Sequence, residues 1–270
     1  MNANKALWEK GDFTRIAATM RESGEALVRS VGVGRGDRVL DLGCGDGTTA
    51  LAEARLGADV LGVDISSPLV KAARQRADEA GLSNIRFQEG DACDLAGLEN
   101  GTFDLVVSMF GAMFAPRPLD VAREMVRVTR KGGRIVMGNW IPNDPTMVAQ
   151  LLKISSSYSP PPPEGFVSPM LWGVEATVTE RFGAAGIAPA QISCLRDTYT
   201  FDFAGTSAQF VEVFRRYYGP TMNAFEAAEK SGRAEALRQE LEQLFASHNK
   251  SPDHNHTTIP ATFLRVTVQV

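Results

Sequence analysis

One seven-residue run constrains this chain more than any other. Asp41-Leu42-Gly43-Cys44-Gly45-Asp46-Gly47 follows the short apolar stretch RVLDLG (38–43) and precedes a helical stretch, TTALAEARLG. Glycines at such a junction let the backbone turn tightly and approach a ligand closely. The helix N-terminus just behind them favours negative groups. A strand, a glycine-rich turn and a helix in that order open an α/β arrangement.

The alternation continues down the chain. ADVLGVD (58–64) reads as a second strand ending in an acid, and PLVKAARQRADEAG (68–81) as a helix stopped by Gly81. NIRFQEGD (84–91) is a third strand. FDLVVSMF (103–110) is a continuous apolar run, the mark of a central strand buried on both faces. PLDVAREMVRVTRKGG (118–133) predicts a helix with a glycine stop, and GRIVMGNW (133–140) another buried strand. Strands alternating with helices mean a mostly parallel sheet with right-handed crossovers.

The flanks read differently. Residues 14–30 have roughly helical spacing until Gly32, Gly34 and Gly36 break it. Helices are expected at 145–159, 174–185, 206–218 and 221–247, strands at 191–203 and 262–270, and a rigid polyproline linker at 160–163. The simplest assembly is one domain, 1–270. It has an N-terminal helical cap (1–35), a cofactor-binding core (36–140), a lid and substrate region with an edge strand (141–258), and a final strand (259–270). Both late strands would join the edge of one sheet, with the helices between them over the strand ends.

Spacing then narrows the ligand. The dinucleotide fingerprint is G-x-G-x-x-G, but Thr48 stands where the third glycine would be. Asp41 would repel a pyrophosphate; it suits a ligand with a cationic amine, such as the methionine part of S-adenosylmethionine. Asp64, ending the second strand, is an acceptor for two ribose hydroxyls. Asp91-Ala92, ending the third, stands where an adenine edge would lie. Three acids at the carboxyl ends of consecutive parallel strands line one crevice.

At this point VLDLGCGDG, GVDIS, EGDA and FDLVVSMFGAMF resemble the successive motifs of class I S-adenosylmethionine-dependent methyltransferases. The chain is most similar to the type 11-like group around the ubiquinone/menaquinone-biosynthesis C-methyltransferases. The motifs cover about residues 36–140, and the flanks GDFTRIA, PPPPEGFVSPMLWG and FRRYYGPTMNAF resemble a bacterial subgroup of these enzymes. The resemblance implies a Rossmann-like, seven-stranded, mostly parallel sheet with helices on both faces, the last strand antiparallel, and a helical lid insertion. It implies S-adenosyl-L-methionine as cofactor. Asp41, Gly43, Cys44 and Gly45 would surround its methionine part, Asp64 and Ile65 its ribose, and Asp91 and Ala92 its adenine. Ser108 and Met109 would lie near the methyl group, and Trp8, Phe13 and Arg15 would belong to a segment closing over it. Cys44 is expected to act as a small filler rather than a nucleophile.

One departure narrows the acceptor. Where methyltransferases acting on exocyclic or amide nitrogens of nucleic acids and proteins often carry Asn/Asp-Pro-Pro-aromatic, this chain reads Ser108-Met109-Phe110-Gly111. That favours O-, C-, N- or S-methylation of a small molecule. In-line displacement at an activated sulfonium needs alignment above all. A general base is required only for a nucleophile that arrives protonated. The candidates are His256, beside His254, and Tyr217, beside Tyr218; Trp172 is expected to anchor the lid. His254-x-His256 lacks companions at ligand spacing, so no metal is expected.

Two rivals stay open on the residues alone. A nicotinamide-dependent oxidoreductase shares the glycine loop and Asp64, but lacks reason for Asp41 and shows no clear Tyr-x-x-x-Lys pair. A non-catalytic S-adenosylmethionine-binding protein would keep the same loop. The net charge of −4 carries no basic footprint for nucleic acid. No stretch approaches the roughly 20 apolar residues that span a bilayer. Cys44, Cys93 and Cys194 form no CxxC pair, which fits a reducing compartment. With no apolar leader at the start, a cytoplasmic monomer or homodimer is expected.

Overall fold

The structure, a computed structural model, describes residues 3–270; the first two residues of the expected cap lie outside it. The chain enters through three short helices, α1 (Ala3–Trp8), α2 (Thr14–Ala17) and α3 (Arg21–Ser30), with a 3-10 turn at Ala18–Met20 between the last two. The core then alternates β1 (Arg38–Leu42), α4 (Ala50–Arg55), β2 (Asp59–Asp64), α5 (Ser67–Glu79), β3 (Ile85–Glu89), β4 (Phe103–Met109), α6 (Pro118–Val128) and β5 (Thr129–Trp140). The later segment adds α7 (Met147–Tyr158), α8 (Glu175–Gly183), β6 (Ile192–Phe203), α9 (Ser207–Tyr217), α10 (Gly219–Lys230), α11 (Ala234–His248) and β7 (Thr257–Gln269).

All seven strands belong to one sheet in the order β3-β2-β1-β4-β5-β7-β6. The pairs from β3 through β5 are parallel, and β7 is antiparallel to both β5 and β6. The central strands read as apolar runs because both faces are covered. Leu40, Leu42 and Val106 pack on one side with Val121, Ala122 and Met125 of α6. Val39, Val60, Leu105 and Val107 pack on the other with Ala50, Leu51 and Ala54 of α4 and Ala73 of α5. The α6 residues recur at helical spacing, so one stripe faces the sheet.

Local chemistry moved some boundaries. The helix expected to run to Gly133 ends at Val128, and β5 begins at Thr129, with a register irregularity opposite Phe103 and Leu105. The single helix expected over 221–247 is two helices, broken where Gly232 adopts φ +71°. That conformation suits glycine and interrupts a right-handed helix.

The sheet's far edge positions the site. β7 pairs with β5 only from Arg134↔Gln269 to Trp140↔Phe263, but with β6 as far as Phe203↔Thr257. The outer halves of β6 and β7 therefore overhang as a two-stranded ribbon. It meets the N-terminal cap, where Ser23 Oγ donates to Thr200 O and accepts from Thr200 N, both at 2.9 Å.

Candidate functional site

The β1–α4 loop is shaped by its glycines. Gly43, Gly45 and Gly47 all have positive φ (72°, 56° and 80°), which other residues adopt with strain. Gly43 N and Cys44 N both donate to Val63 O, at 2.7 and 3.1 Å, tying the loop to the end of β2. On its other side the loop touches the turn after β4: a Cβ on Gly43 would meet Gly111 Cα at 2.7 Å, and one on Gly111 would collide with the Gly43 carbonyl. Phe110, next to that contact, is held at φ +59° with its ring stacked 3.8 Å from Trp140. A phenylalanine in this region is uncommon and is kept there by its surroundings.

Over these loops lies a cavity of about 930 Å³, its mouth included. It lies at the carboxyl ends of the parallel strands, where small-molecule and cofactor sites form. Gly43, Cys44 and Gly45 line it after β1, Asp64 and Ile65 after β2, Asp91 and Ala92 after β3, and Met109 and Phe110 at the end of β4. The N-terminal segment roofs it with Asn4, Trp8, Phe13, Ala17 and Met20. Trp8 and Phe13 meet edge to face at 5.7 Å, and both rings rest near Tyr218, at 6.2 and 6.1 Å.

The acids differ in state. Asp64 is buried, and its two oxygens accept from Gly45 N and Ser66 N at 2.9 Å each. Burial raises its carboxyl above the ordinary range, while those N–H groups pull it back. Asp41 lies beneath the loop: one oxygen accepts from Thr49 Oγ1 at 2.6 Å, and the other has no side-chain partner among the described residues. Burial pushes its carboxyl up to about 7, opposed by the Thr49 hydrogen bond and reinforced by the charge on Asp64. Glu53 of α4 is buried with neither oxygen partnered, and burial first, then Asp41, raises it well above its usual value. Cys44 is likewise raised well above an ordinary thiol by burial and the charges of Asp64, Asp41 and Asp46, so it stays a protonated filler.

Other expected site residues lie outside the cavity wall. Asp41 shapes the loop from below. Ser108 donates to Leu42 O at 2.6 Å and accepts from Ala112 N at 2.9 Å, joining the two loops. Arg15 points outward, pairs with Asp12 at 3.3 Å and lies over the Tyr217 ring. Neither catalytic candidate is brought in. His256 immediately precedes β7 at the outer tip of the ribbon, where its Nε2 meets Asp202 Oδ1 at 2.8 Å. Tyr217 ends α9, which packs against α2 from outside the cap. Trp172 is fully buried and stacks with Arg181, at 4.5 Å, away from the cavity.

Several lining residues do not stand out in the sequence, and three of them bear on the chemistry. Asp46, in the loop itself, is 1% exposed and is clamped by Arg21 and Arg76 at 3.2 and 3.1 Å. Met20 comes from the cap. Tyr199 comes from β6 and is the one lining residue from the region 141–258. Its signal was the alternation of 191–203, which places Tyr199 and Phe201 on one face. Nothing in that pattern says the ribbon bends over the cap. Among the described residues no group of three His, Cys, Asp or Glu could hold a metal ion, and no helix is long and apolar enough to cross a membrane.

Fold and crevice together define an α/β cofactor-binding enzyme. Residues 40–137 match the model of the methyltransferase domain family. A protein of Mycobacterium tuberculosis, described as uncharacterized, is 34% identical over 223 residues, 82% of this chain and 79% of that one. A ubiquinone biosynthesis O-methyltransferase of Albidiferax ferrireducens is 39% identical over 98 residues, 36% of this chain and 39% of its own. The crystal structure of the YcgJ protein of Bacillus subtilis shares the fold, with a TM-score of 0.58 at 19% identity, over 91% of this chain and 97% of that one. Over residues 40–137 the chain carries a methyltransferase domain of the S-adenosylmethionine-dependent kind, whose cofactor is S-adenosylmethionine.

The donor set fits that cofactor. The acceptor carboxylates of Asp64 and Asp91 share the cavity wall with apolar side chains, and among the described residues no Lys, Arg or His lines it to hold a phosphate; a ligand with hydroxyls and amines and no phosphate suits such a wall.

Proposed function

We propose that this chain methylates a small molecule held in the cavity beneath the N-terminal cap, by in-line displacement. The observation that carries the reading is the enclosure. Trp8, Phe13, Ala17 and Met20 roof the same space whose floor is the glycine loop and whose far wall carries Asp64 and Asp91. An acceptor must fit under that roof, which favours a small molecule over a folded macromolecule.

When bound, S-adenosylmethionine supplies an activated methyl group on a cationic sulfur. The chain's own residues would do the rest. Gly43 and Gly45 let the backbone approach the methionine part, Asp64 with Ile65 holds the ribose, and Asp91 with Ala92 meets the adenine. Met109 and Phe110 would line the space near the methyl group, and the Trp8 and Phe13 rings would exclude water from it. Excluding water and fixing orientation are the main contributions such a reaction requires of a protein. His256 and Tyr217 receive no role, because neither reaches the cavity. An acceptor that is already nucleophilic at neutral pH suits a cavity whose wall holds no histidine.

The test is transfer of a radiolabelled methyl group to a panel of phenols, amines, thiols and carbon acids, beside bulk RNA and unfolded protein. Label in one or more small molecules is expected. Label confined to RNA or protein would overturn the small-molecule reading. Binding of S-adenosylhomocysteine with no transfer to any acceptor would favour a non-catalytic binder.

A further inference from the structure

Tyr199 is the odd member of the cavity wall. It travels in on the overhanging ribbon, its backbone neighbour Thr200 is fastened to Ser23 of the cap, and only 2% of it is exposed. Its ring is braced edge-on by Phe110 at 5.0 Å and Phe263 at 6.1 Å. The hydroxyl has no hydrogen-bond partner among the described residues. Burial, and then the charges of Asp41 and Asp46, keep it protonated, so at neutral pH it is available as a donor. A donor facing a cavity loses its water when a ligand fills the space, and that costs free energy unless the ligand completes it.

Its place within the cavity says which ligand atoms it faces. Tyr199 Oη and Thr48 Cγ2 each lie 2.8 Å from the point where a Cβ on Gly24 would stand, so the hydroxyl sits beside the start of α4. That is the end of the cavity at the β1 loop, not the end where β2 and β3 present Asp64 and Asp91. The other side-chain hydroxyls at this end are already committed, and Arg21, whose buried Nε has no partner among the described residues, does not line the cavity. Thr48 Oγ1 donates to Asp46 at 2.9 Å, and Thr49 Oγ1 to Asp41 at 2.6 Å. The Arg21 and Arg76 guanidinium groups hold Asp46. The loop's Gly45 N–H is spent on Asp64. A carboxylate entering this end must replace its lost water with donors, and the Tyr199 hydroxyl is the uncommitted one on the wall. The two nearby acids oppose it only in part: Asp46 is paired with two arginines, and burial holds Asp41 toward its protonated form.

We propose that Tyr199 is a cofactor-binding residue whose hydroxyl donates a hydrogen bond to the carboxylate of the methionine part of S-adenosylmethionine. The assignment rests on the cofactor reading above. Through it the ribbon and the cap would close together when the amino-acid end of the ligand is in place.

The experiment is calorimetric titration of wild type and Tyr199→Phe with two ligands. One is S-adenosylhomocysteine. The other is 5′-methylthioadenosine, which keeps the adenosine part and lacks the carboxylate. Wild-type binding of both tests the cofactor reading independently of Tyr199. The proposal predicts that Tyr199→Phe weakens S-adenosylhomocysteine roughly tenfold or more, the range for a hydrogen bond to a charged group, and leaves 5′-methylthioadenosine within about twofold. Equal weakening of both ligands would show a merely structural role and overturn it. So would unchanged S-adenosylhomocysteine affinity, including the case in which the acceptor KM rises instead.

Discussion

The two halves of this molecule build the site by opposite means. Between Arg38 and Trp140, short parallel strands end at a common level, and each contributes its next few residues to the cavity: Gly43 to Gly45, Asp64 and Ile65, Asp91 and Ala92, Met109 and Phe110. Position along the chain therefore translates directly into position in the site. Between Ile141 and Thr258 one residue alone, Tyr199, lines the cavity, brought there by a long antiparallel ribbon that leaves the sheet and bends over the cap. The helices of that region stand behind the roof, with α9 against α2 and α10 against α1. In the first half the binding loops are local and backbone-made. In the second, function depends on tertiary geometry that few residues express.

The comparison predicts where damage concentrates. The largest effect is expected for Gly111→Ala, since a Cβ there strikes the Gly43 carbonyl and separates the two loops. Chemical denaturation should show a loss of about 3 kcal/mol, at the upper end of ordinary single substitutions, together with loss of S-adenosylhomocysteine binding. A smaller change, with opposite sign, is expected at Glu53→Gln. Glu53 and Asp41 both have carboxyls raised in the folded state, so the native protein keeps protons that the unfolded chain releases above about pH 4. Their contribution to stability is thus greatest in acid and is lost as the pH rises through Asp41's value of about 7. Removing one charge should stabilise the protein by about 1–2 kcal/mol near pH 8 and by almost nothing near pH 5. Melting curves at the two pH values check this; an equal shift at both would break the account of the pair. The smallest effect is expected at His256→Ala, on the ribbon's exposed tip. Stability should change by less than about 0.5 kcal/mol and kcat/KM not at all. A large fall in kcat would return His256 to the chemistry and erase the contrast between the halves.

The parallel core was legible because its signals are local. Apolar runs of strand length, glycines where φ is positive and an acid at each strand end are properties of neighbouring residues. They led to Asp64, Asp91 and the Gly43 loop without any knowledge of packing. Asp41 and Ser108 look like ligand contacts in the sequence because they sit among such residues. The structure gives them to the loops instead, since side chains alternate across a strand and these two face inward. His256 and Tyr217 stand out by chemical type alone, in a region where spacing does not report position. Tyr199 does not stand out because nothing within residues 191–203 encodes where the overhanging ribbon docks, and its surroundings there, Ser23, Phe110 and Phe263, come from distant parts of the chain.

The most direct test of the central claim, that the crevice over β1, β2 and β3 is the cofactor site, is calorimetric titration of wild type and Asp64→Asn with S-adenosylhomocysteine. NADH serves as the comparison ligand. The account predicts micromolar binding of S-adenosylhomocysteine to the wild type and none of NADH. In Asp64→Asn, affinity should fall by about 1–3 kcal/mol, roughly five- to 150-fold, because a ribose hydroxyl loses its acceptor. An unchanged affinity in the variant would contradict the claim and place the ligand elsewhere in the fold.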